Sequence, residues 1–336
     1  MDKKTFRFTS TSVNYFFESG ISHLKEVVDA KNAIILTDEN VFAAHTKKFK
    51  NWNTIVLKPG EEYKIQGTVD SVIEQLIEMG ADRQTTLIGI GGGVITDLAG
   101  YIASIYMRGI SFGFIPTTLL SLVDASIGGK NGIDVGVYKN LVGAIKQPAF
   151  ILQDLQFLNT LPEAEWQNGF AEIIKHACIK DAPMFRQLES HDLNFYIKNK
   201  REASSLIRRN VLIKTKVVMQ DEFEKGDRKL LNFGHTLGHA LENQYELSHG
   251  QSISIGMTYA SELSRMLIGF KNAEKVPKVL EQYGLPTYAL YDKDKVINVL
   301  KMDKKKEKDA INFILLEKIG KAVIEKIAID QLYSTL

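Results

Sequence analysis

Residues 86–93, Thr-Leu-Ile-Gly-Ile-Gly-Gly-Gly, limit the fold more than any other part of this chain. A short apolar run of this kind reads as a strand buried on both faces, and here it ends in three glycines. From Val94 onward the apolar side chains resume a helical spacing. A strand that feeds a helix through a glycine turn is one β/α step, and the same alternation surrounds it. Residues 33–37 and 54–57 read as short buried strands, and Val69, Val72, Ile73, Leu76 and Ile77 recur on one helical face before Gly80 stops them. Further strands are expected at 111–115 and 150–153. The expectation is an α/β N-terminal domain with a Rossmann-like, mostly parallel sheet covered by helices.

From about residue 161 helical periodicity dominates, at 163–179, 201–219, 236–244 and 253–268, and Pro162 sits where a first-turn proline is tolerated. A chain of 336 residues exceeds what one core usually organises. We therefore expect an α/β domain over 1–156 and a mainly α-helical domain over 157–336, with the active site in the cleft between them. The lysine-rich run 292–308 reads as a solvated helix or loop face. Hydrophobic residues at 44% and charged residues at 24% are those of an ordinary globular protein. The net charge of +2 argues for neither nucleic acid nor a membrane surface as partner. Cys178 is the single cysteine, so no internal disulfide forms and a reducing cytoplasm is expected. The first residues hold no uninterrupted apolar run, so no signal peptide is expected. No stretch approaches the roughly 20 apolar residues of a membrane span.

Residues 91–150 contain seven charged side chains: Asp97, Arg108, Asp124, Lys130, Asp134, Lys139 and Lys146. At the chain's own 24% a segment of that length would hold roughly fourteen. Glycine is biased the other way, with twelve of the 25 between Gly89 and Gly143. Charges kept in such a segment each need a reason, because burying one is costly unless it is paired or faces a ligand. The Gly91, Gly92, Gly93 turn places bare backbone N–H groups at a helix N-terminus, where the dipole favours an anion. The spacing is GGGxxxD and not GxGxxG, so a tight structural turn and a nucleotide cradle both remain open. A second glycine turn, Gly128-Gly129-Lys130-Asn131-Gly132, presents a lysine suited to a phosphate or carboxylate.

His235 and His239 stand four apart, on one helix face, with His249 ten residues later and Glu172 far upstream. Two histidines with one carboxylate form the ligand set of a catalytic zinc site. The residue after His235 is Thr236, which removes the HExxH protease reading. A core histidine cluster remains the alternative. Glu172 and Lys175 share a face, and Lys214, Glu224, Arg228 and Asn232 lead into the histidine pair; spacing alone leaves Lys214 and Glu224 exposed or inward.

Eight blocks, taken together, resemble 3-dehydroquinate synthase of the sugar phosphate cyclase family. They are PGEEYK (59–64), GIGGGVITDLAGYIASIYMRG (89–109), PTTLLSLVDASIGGKNGID (116–134), KNLVGAIKQP (139–148), FLNTLPEAEWQNGFAEIIKHA (157–177), DEFEKGDRKLLNFGHTLGHALE (221–242), HGQSISIGM (249–257) and MDKK (302–305). The resemblance implies NAD and one zinc or cobalt ion as cofactors, the metal held by Glu172, His235 and His249. It implies NAD contacts at Asp38, Glu61, Lys64, Gly92, Gly93, Val94, Asp97, Thr117, Thr118, Lys130, Lys139, Phe157 and Thr160. The phosphorylated sugar-acid substrate would meet Asp124, Lys130, Asn140, Lys175, Lys214, Arg228, Asn232 and His239, with Lys304 or Lys305. Arg108 matches an arginine that reaches the substrate phosphate of the neighbouring subunit, which implies a homodimer with a shared active site.

Two positions depart from the family's common pattern. Asn131 stands where many members have threonine, and Gln251 where many have glutamate. The neutral Gln251 is expected to weaken an outer contact to the metal ligands. The departures leave room for a sister cyclase acting on a related sugar phosphate. A metal-dependent alcohol or glycerol dehydrogenase fits less well, because a small neutral substrate does not explain Arg108, Lys130, Lys214 and Arg228 together. A non-catalytic NAD-binding regulator would not need a complete set of metal ligands.

Overall fold

The computed structural model describes residues 2–136, 138–242, 244–302, 306–307 and 310–335. They form two compact units, Met1–Glu165 with Ser204–Phe223, and Trp166–Ala203 with Glu224–Leu336. By contact, the chain leaves the first unit after Glu165 and returns to it over Ser204–Phe223.

The first unit is built on a seven-stranded sheet. Its strands are β1 (Asp2–Arg7), β2 (Ser12–Phe17), β3 (Ala33–Asp38), β4 (Asn53–Leu57), β5 (Thr86–Gly91), β6 (Ser111–Pro116) and, after a separate hairpin, β9 (Phe150–Leu152). The order is β1-β2-β9-β6-β5-β3-β4. Only the β1–β2 pair is antiparallel. Leu87, Ile88 and Ile90 of β5 are fully buried, as a central parallel strand requires. The chain runs outward from β3 to β4, then crosses back to β5 and continues the other way to β6, so the order reverses between β3 and β5. Ligands of open α/β sheets sit beyond the carboxyl ends of the strands at such a reversal. Here those ends carry Asp38 and Gly91.

Three antiparallel elements were not expected from the sequence. One is the β1–β2 hairpin. The second is the ribbon β7 (Lys130–Val135) with β8 (Tyr138–Ile145). The third, in the otherwise helical second unit, is a small sheet of β10 (Lys306–Glu307), β11 (Ala310–Lys318) and β12 (Lys321–Ala328). There Phe313 and Leu315 share a core with Leu237, Leu241, Val296, Ile297 and Leu300. The last three lie on the helix Lys293–Met302, so this helical part of the lysine-rich run buries one face.

The returning segment 204–223 lies on the helix Lys200–Gln220 and its end, and it ties down the N-terminal hairpin. Arg208 pairs with Asp2 and stacks over the Phe17 ring, and buried Glu222 accepts hydrogen bonds from Thr9 N–H (2.8 Å), Ser10 Oγ (2.8 Å) and Gln147 Nε2 (3.0 Å). Burial opposes the Glu222 charge, but these donors outweigh it and hold the carboxyl below its ordinary value. A carboxylate with a depressed folded pKa stabilises above its unfolded value, about 4.3, and the gain disappears as pH falls through the folded value. Glu222→Ala should therefore lower stability by about 1–3 kcal/mol at neutral pH. Urea titrations should show the difference from the parent chain shrinking below about pH 4.

Candidate active site

In the first unit β5 ends at Gly91 and the helix Gly93–Ile105 starts two residues later, with Gly92 as its N-cap. A Cβ on Gly92 would lie 3.1 Å from Thr118 Cγ2, so a side chain there would crowd the turn that exposes the N–H groups. Gly92, Gly93 and Val94 are partly open. Thr117 follows β6, its N–H donates to Gly91 O at 3.0 Å, and its buried hydroxyl has no hydrogen-bond partner among the described residues. An orphaned buried hydroxyl beside a bare helix N-terminus fits the phosphate and hydroxyl groups of a nucleotide. Asp38 ends β3 and caps the following helix through Val41 N–H at 3.0 Å. Phe157 is buried with its ring 4.7 Å from that of His45, whose Nε2 lies 2.8 Å from Thr160 Oγ1.

Lys64 joins several of the expected cofactor residues. Its ammonium is 2.7 Å from Asp97, 3.8 Å from Glu61 and 2.6 Å from Asn140 Oδ1. Lys139 lies 3.9 Å from the same Glu61. Burial lowers the Lys64 pKa, but Asp97 and Glu61 hold it above the ordinary lysine value.

Asp124 sits in a π-helical turn, Ser121–Ala125, an irregularity common at functional sites. Lys214, only 7% exposed, places its ammonium 2.7 Å from Asp124 Oδ1 and 2.8 Å from the Asp124 carbonyl oxygen. The inward alternative for Lys214 is the one the structure adopts. Lys130 opens β7 after Gly128 and Gly129, both at positive φ (107° and 69°). Asn131 explains itself: its Nδ2 donates to Gly129 O and Lys146 O, each at 2.9 Å, locking the turn that presents Lys130. Its Oδ1 would lie 1.9 Å from a Cβ on Gly100, so the amide fills the space that glycine leaves. Arg108 is exposed in a turn where Met107 and Arg108 both take positive φ (49° and 66°). Lys146 holds that turn by donating to Ile110 O at 3.1 Å and Ala103 O at 3.5 Å.

In the second unit the donor atoms of Glu172, His235 and His249 lie within 4.8 Å of one another. Glu172, fully buried on the helix Glu163–Lys180, has its Oε1 3.4 Å from His235 Nε2 and 3.3 Å from His249 Nε2. Its other oxygen pairs with Lys175, one turn along and equally buried. The outer ring nitrogens are also held: His235 Nδ1 lies 3.2 Å from Phe233 O, and His249 Nδ1 lies 3.3 Å from Glu242. Imidazoles fixed in this way, with a carboxylate, suit zinc or cobalt. Burial would lower the His249 pKa, but Glu172 and Glu242 raise it to about 10. The His239 ring is 5.1 Å from that of His235, beside the converging atoms. Arg228 is buried in the turn Asp227–Asn232, and Asn232 Nδ2 donates to Glu224 at 2.8 Å. Lys304 and Lys305 lie outside the described residues.

Close backbone approach brings the two histidines to Glu172. A Cβ on Gly256 would lie 1.9 Å from Gly234 O, so the helices His235–Glu242 and His249–Ile268 touch along glycine. Asn168 Oδ1, one turn before Glu172, accepts from Gly250 N–H at 3.1 Å and from Ser248 Oγ at 2.6 Å. Gln251 belongs to the same device. Its Oε1 accepts Ser248 N–H at 2.9 Å in a capping box that starts the helix at His249. A neutral acceptor serves a cap as well as a carboxylate does, so Gln251 weakens no contact to the ligands. Glu242 was missed by the sequence reading. The signal was present: seven residues after His235 it shares that histidine's helical face.

His235→Ala should lose the bound divalent ion while the circular dichroism of the chain is kept. Glu242→Ala should weaken metal binding by roughly ten- to a hundredfold in competition with a chromogenic chelator. Equal binding in either variant would remove the corresponding residue from the site.

The sequence matches two family profiles, 3-dehydroquinate synthase N-terminal over residues 54–168 and 3-dehydroquinate synthase C-terminal over residues 169–306. It is 43% identical to the 3-dehydroquinate synthase of Campylobacter concisus, across 81% of this chain and 79% of that one. It is 40% identical to the 3-dehydroquinate synthase of Nitratiruptor, across 92% and 91%. Among solved structures, the 2-epi-5-epi-valiolone synthase of Streptomyces hygroscopicus, with NAD+ and Zn2+ bound, superposes with a TM-score of 0.88 at 26% identity, covering 99% of this chain and 96% of the other. Identity at this level along nearly the whole chain, over a sheet and a ligand set of the expected kind, places this chain in the 3-dehydroquinate synthase family.

Proposed function

We propose that the chain converts 3-deoxy-D-arabino-heptulosonate 7-phosphate to 3-dehydroquinate and inorganic phosphate, with NAD and one zinc or cobalt ion. The converging donors of Glu172, His235 and His249 carry this reading. When bound, NAD supplies a hydride acceptor that is restored within the turnover, and the metal supplies Lewis acidity at the substrate hydroxyl. The chain's own residues hold and orient a substrate that carries both a phosphate and a carboxylate. Lys130, Lys175, Lys214 and Arg228 supply the cations, and Asn140, Asn232 and His239 supply hydrogen bonds to hydroxyls. Lys214 and Arg228 are 7% and 2% exposed, so their attraction for an anion is less screened than on an open surface. Asp124 fixes the direction of the Lys214 ammonium at 2.7 Å. No side chain is assigned as the base for the phosphate elimination.

The reaction would run in the cytoplasm, which suits a single buried thiol, Cys178, with no disulfide to form. No helix among the described residues is long and apolar enough to cross a membrane.

A homodimer with shared sites is supported by exposed apolar residues of the first unit. The β7–β8 ribbon exposes Val135, Tyr138, Leu141, Val142 and Ile145, and Ile105 and Met107 are exposed beside Arg108. Large exposed apolar side chains gathered on one ribbon, with more beside Arg108, are what an interface would cover. Arg108 has no ion pair among the described residues of its own chain and is free to serve a second copy. Mixing Arg108→Ala chains with Lys130→Ala chains should then restore activity, because one site of each heterodimer is intact; heterodimers without activity would exclude sharing.

Incubated with the heptulosonate phosphate, the chain should release phosphate steadily with catalytic NAD and no lasting NADH absorbance. Lys130→Ala or Arg228→Ala should cost about 1.5–3 kcal/mol, a ten- to over hundredfold loss in kcat/KM. Stoichiometric NADH without phosphate would favour a dehydrogenase. The close superposition on a valiolone synthase makes a sister cyclase the second reading, and no turnover of this substrate would select it.

A further inference from the structure

Asp134 is one of the seven charges in residues 91–150. It sits where the β7–β8 ribbon is irregular. Ile133 faces Val142 but Val135 faces Tyr138, so residues 139–141 of β8 bulge opposite Asp134. Bulges re-aim side chains and recur beside active sites. This one carries Lys139 and Asn140, and Asn140 takes a left-handed backbone with φ +51°.

Asp134 is bonded to Asn140 in that bulge and to Lys64 beside it. Its Oδ1 accepts the Asn140 N–H at 2.6 Å, and its own N–H donates to the Lys64 carbonyl oxygen at 2.8 Å. The ring closes through Lys64, whose ammonium donates to Asn140 Oδ1 at 2.6 Å and pairs with Asp97 at 2.7 Å. A two-stranded ribbon with one exposed face specifies its own register weakly, so a bulge in it needs a pin.

We infer that Asp134 is a positioning residue that pins the bulge of the β7–β8 ribbon and thereby aims Asn140 at the substrate and Lys64 at the nucleotide turn. The inference rests on the proposed function, which assigns those two targets. Asp134 acts as an acceptor. An amide oxygen in its place keeps the bond to Asn140 N–H, whereas alanine leaves the left-handed backbone unsupported. Burial pushes the Asp134 carboxyl up, and the Asn140 N–H and the Lys64 charge oppose that push.

The test is steady-state kinetics on the parent chain, Asp134→Ala, Asp134→Asn, Asn140→Ala and the double variant Asp134→Ala/Asn140→Ala. Misaiming a binding group by about an ångström costs up to roughly a hundredfold, so Asp134→Ala should lose roughly ten- to a hundredfold in kcat/KM. Asp134→Asn should recover most of this loss. The double variant should be no more than about threefold worse than Asn140→Ala, because the two residues act as one unit. Metal content should match the parent in every variant. The inference is overturned if Asp134→Ala stays within twofold of the parent, if Asp134→Asn is as impaired as Asp134→Ala, or if the two losses multiply. If the parent itself does not turn over the heptulosonate phosphate, the proposed function has failed. NAD titration then decides separately: a several-fold weaker Kd in Asp134→Ala supports the pin through Lys64, and an unchanged Kd overturns it.

Discussion

Glu172 is a carboxylate with no exposure, placed on a long buried helix among Ile173, Ile174 and Ala177. A lone charge in such surroundings would be lost to protonation or would destabilise the fold by several kcal/mol. Much of the second unit answers that demand. Lys175 takes one oxygen from the same helix, and two imidazoles from two other helices meet the second oxygen. To bring those imidazoles in, the helices touch along Gly234 and Gly256, and Gly250 hydrogen-bonds Asn168 directly. Remove the carboxylate and the glycine contacts, the capping box at Ser248 and the Glu242 brace have nothing left to organise.

Much of this was legible in the sequence because its physical signals are local. Residues 86–93 announce their strand and turn by apolar continuity and glycine; β5 begins at Thr86 as read, and the following helix begins within a residue of Val94. The helices of the second unit announce themselves by periodicity. The antiparallel pieces were silent for an equally physical reason. The β8 strand, Tyr-Lys-Asn-Leu-Val-Gly-Ala-Ile, is largely exposed and bulged, so it lacks the two-residue alternation of a half-buried strand. The link between Lys64 and Asn140, or between Thr9 and Glu222, joins residues far apart in sequence, and no spacing rule reports on such a pair.

Asn131 and Gln251 show how a departure from a family pattern can be read once its contacts are known. Each is bonded to backbone and not to a ligand-facing group. Asn131 ties two carbonyls across a turn, and Gln251 returns a hydrogen bond to the N–H of a helix cap. Both tasks are geometric, and both can be met by a neutral polar side chain of the right length.

The return of residues 204–223 to the first unit has a consequence for synthesis of the chain. Translation delivers all the strands of the large sheet early, and with them most of the apolar surface of that unit. The segment that fastens its N-terminal hairpin, through Arg208 and Glu222, emerges only after 166–203 of the other unit has been made. The first unit therefore waits, unsealed at one edge, while part of its neighbour is produced. By contact, neither unit is a single contiguous stretch of the chain.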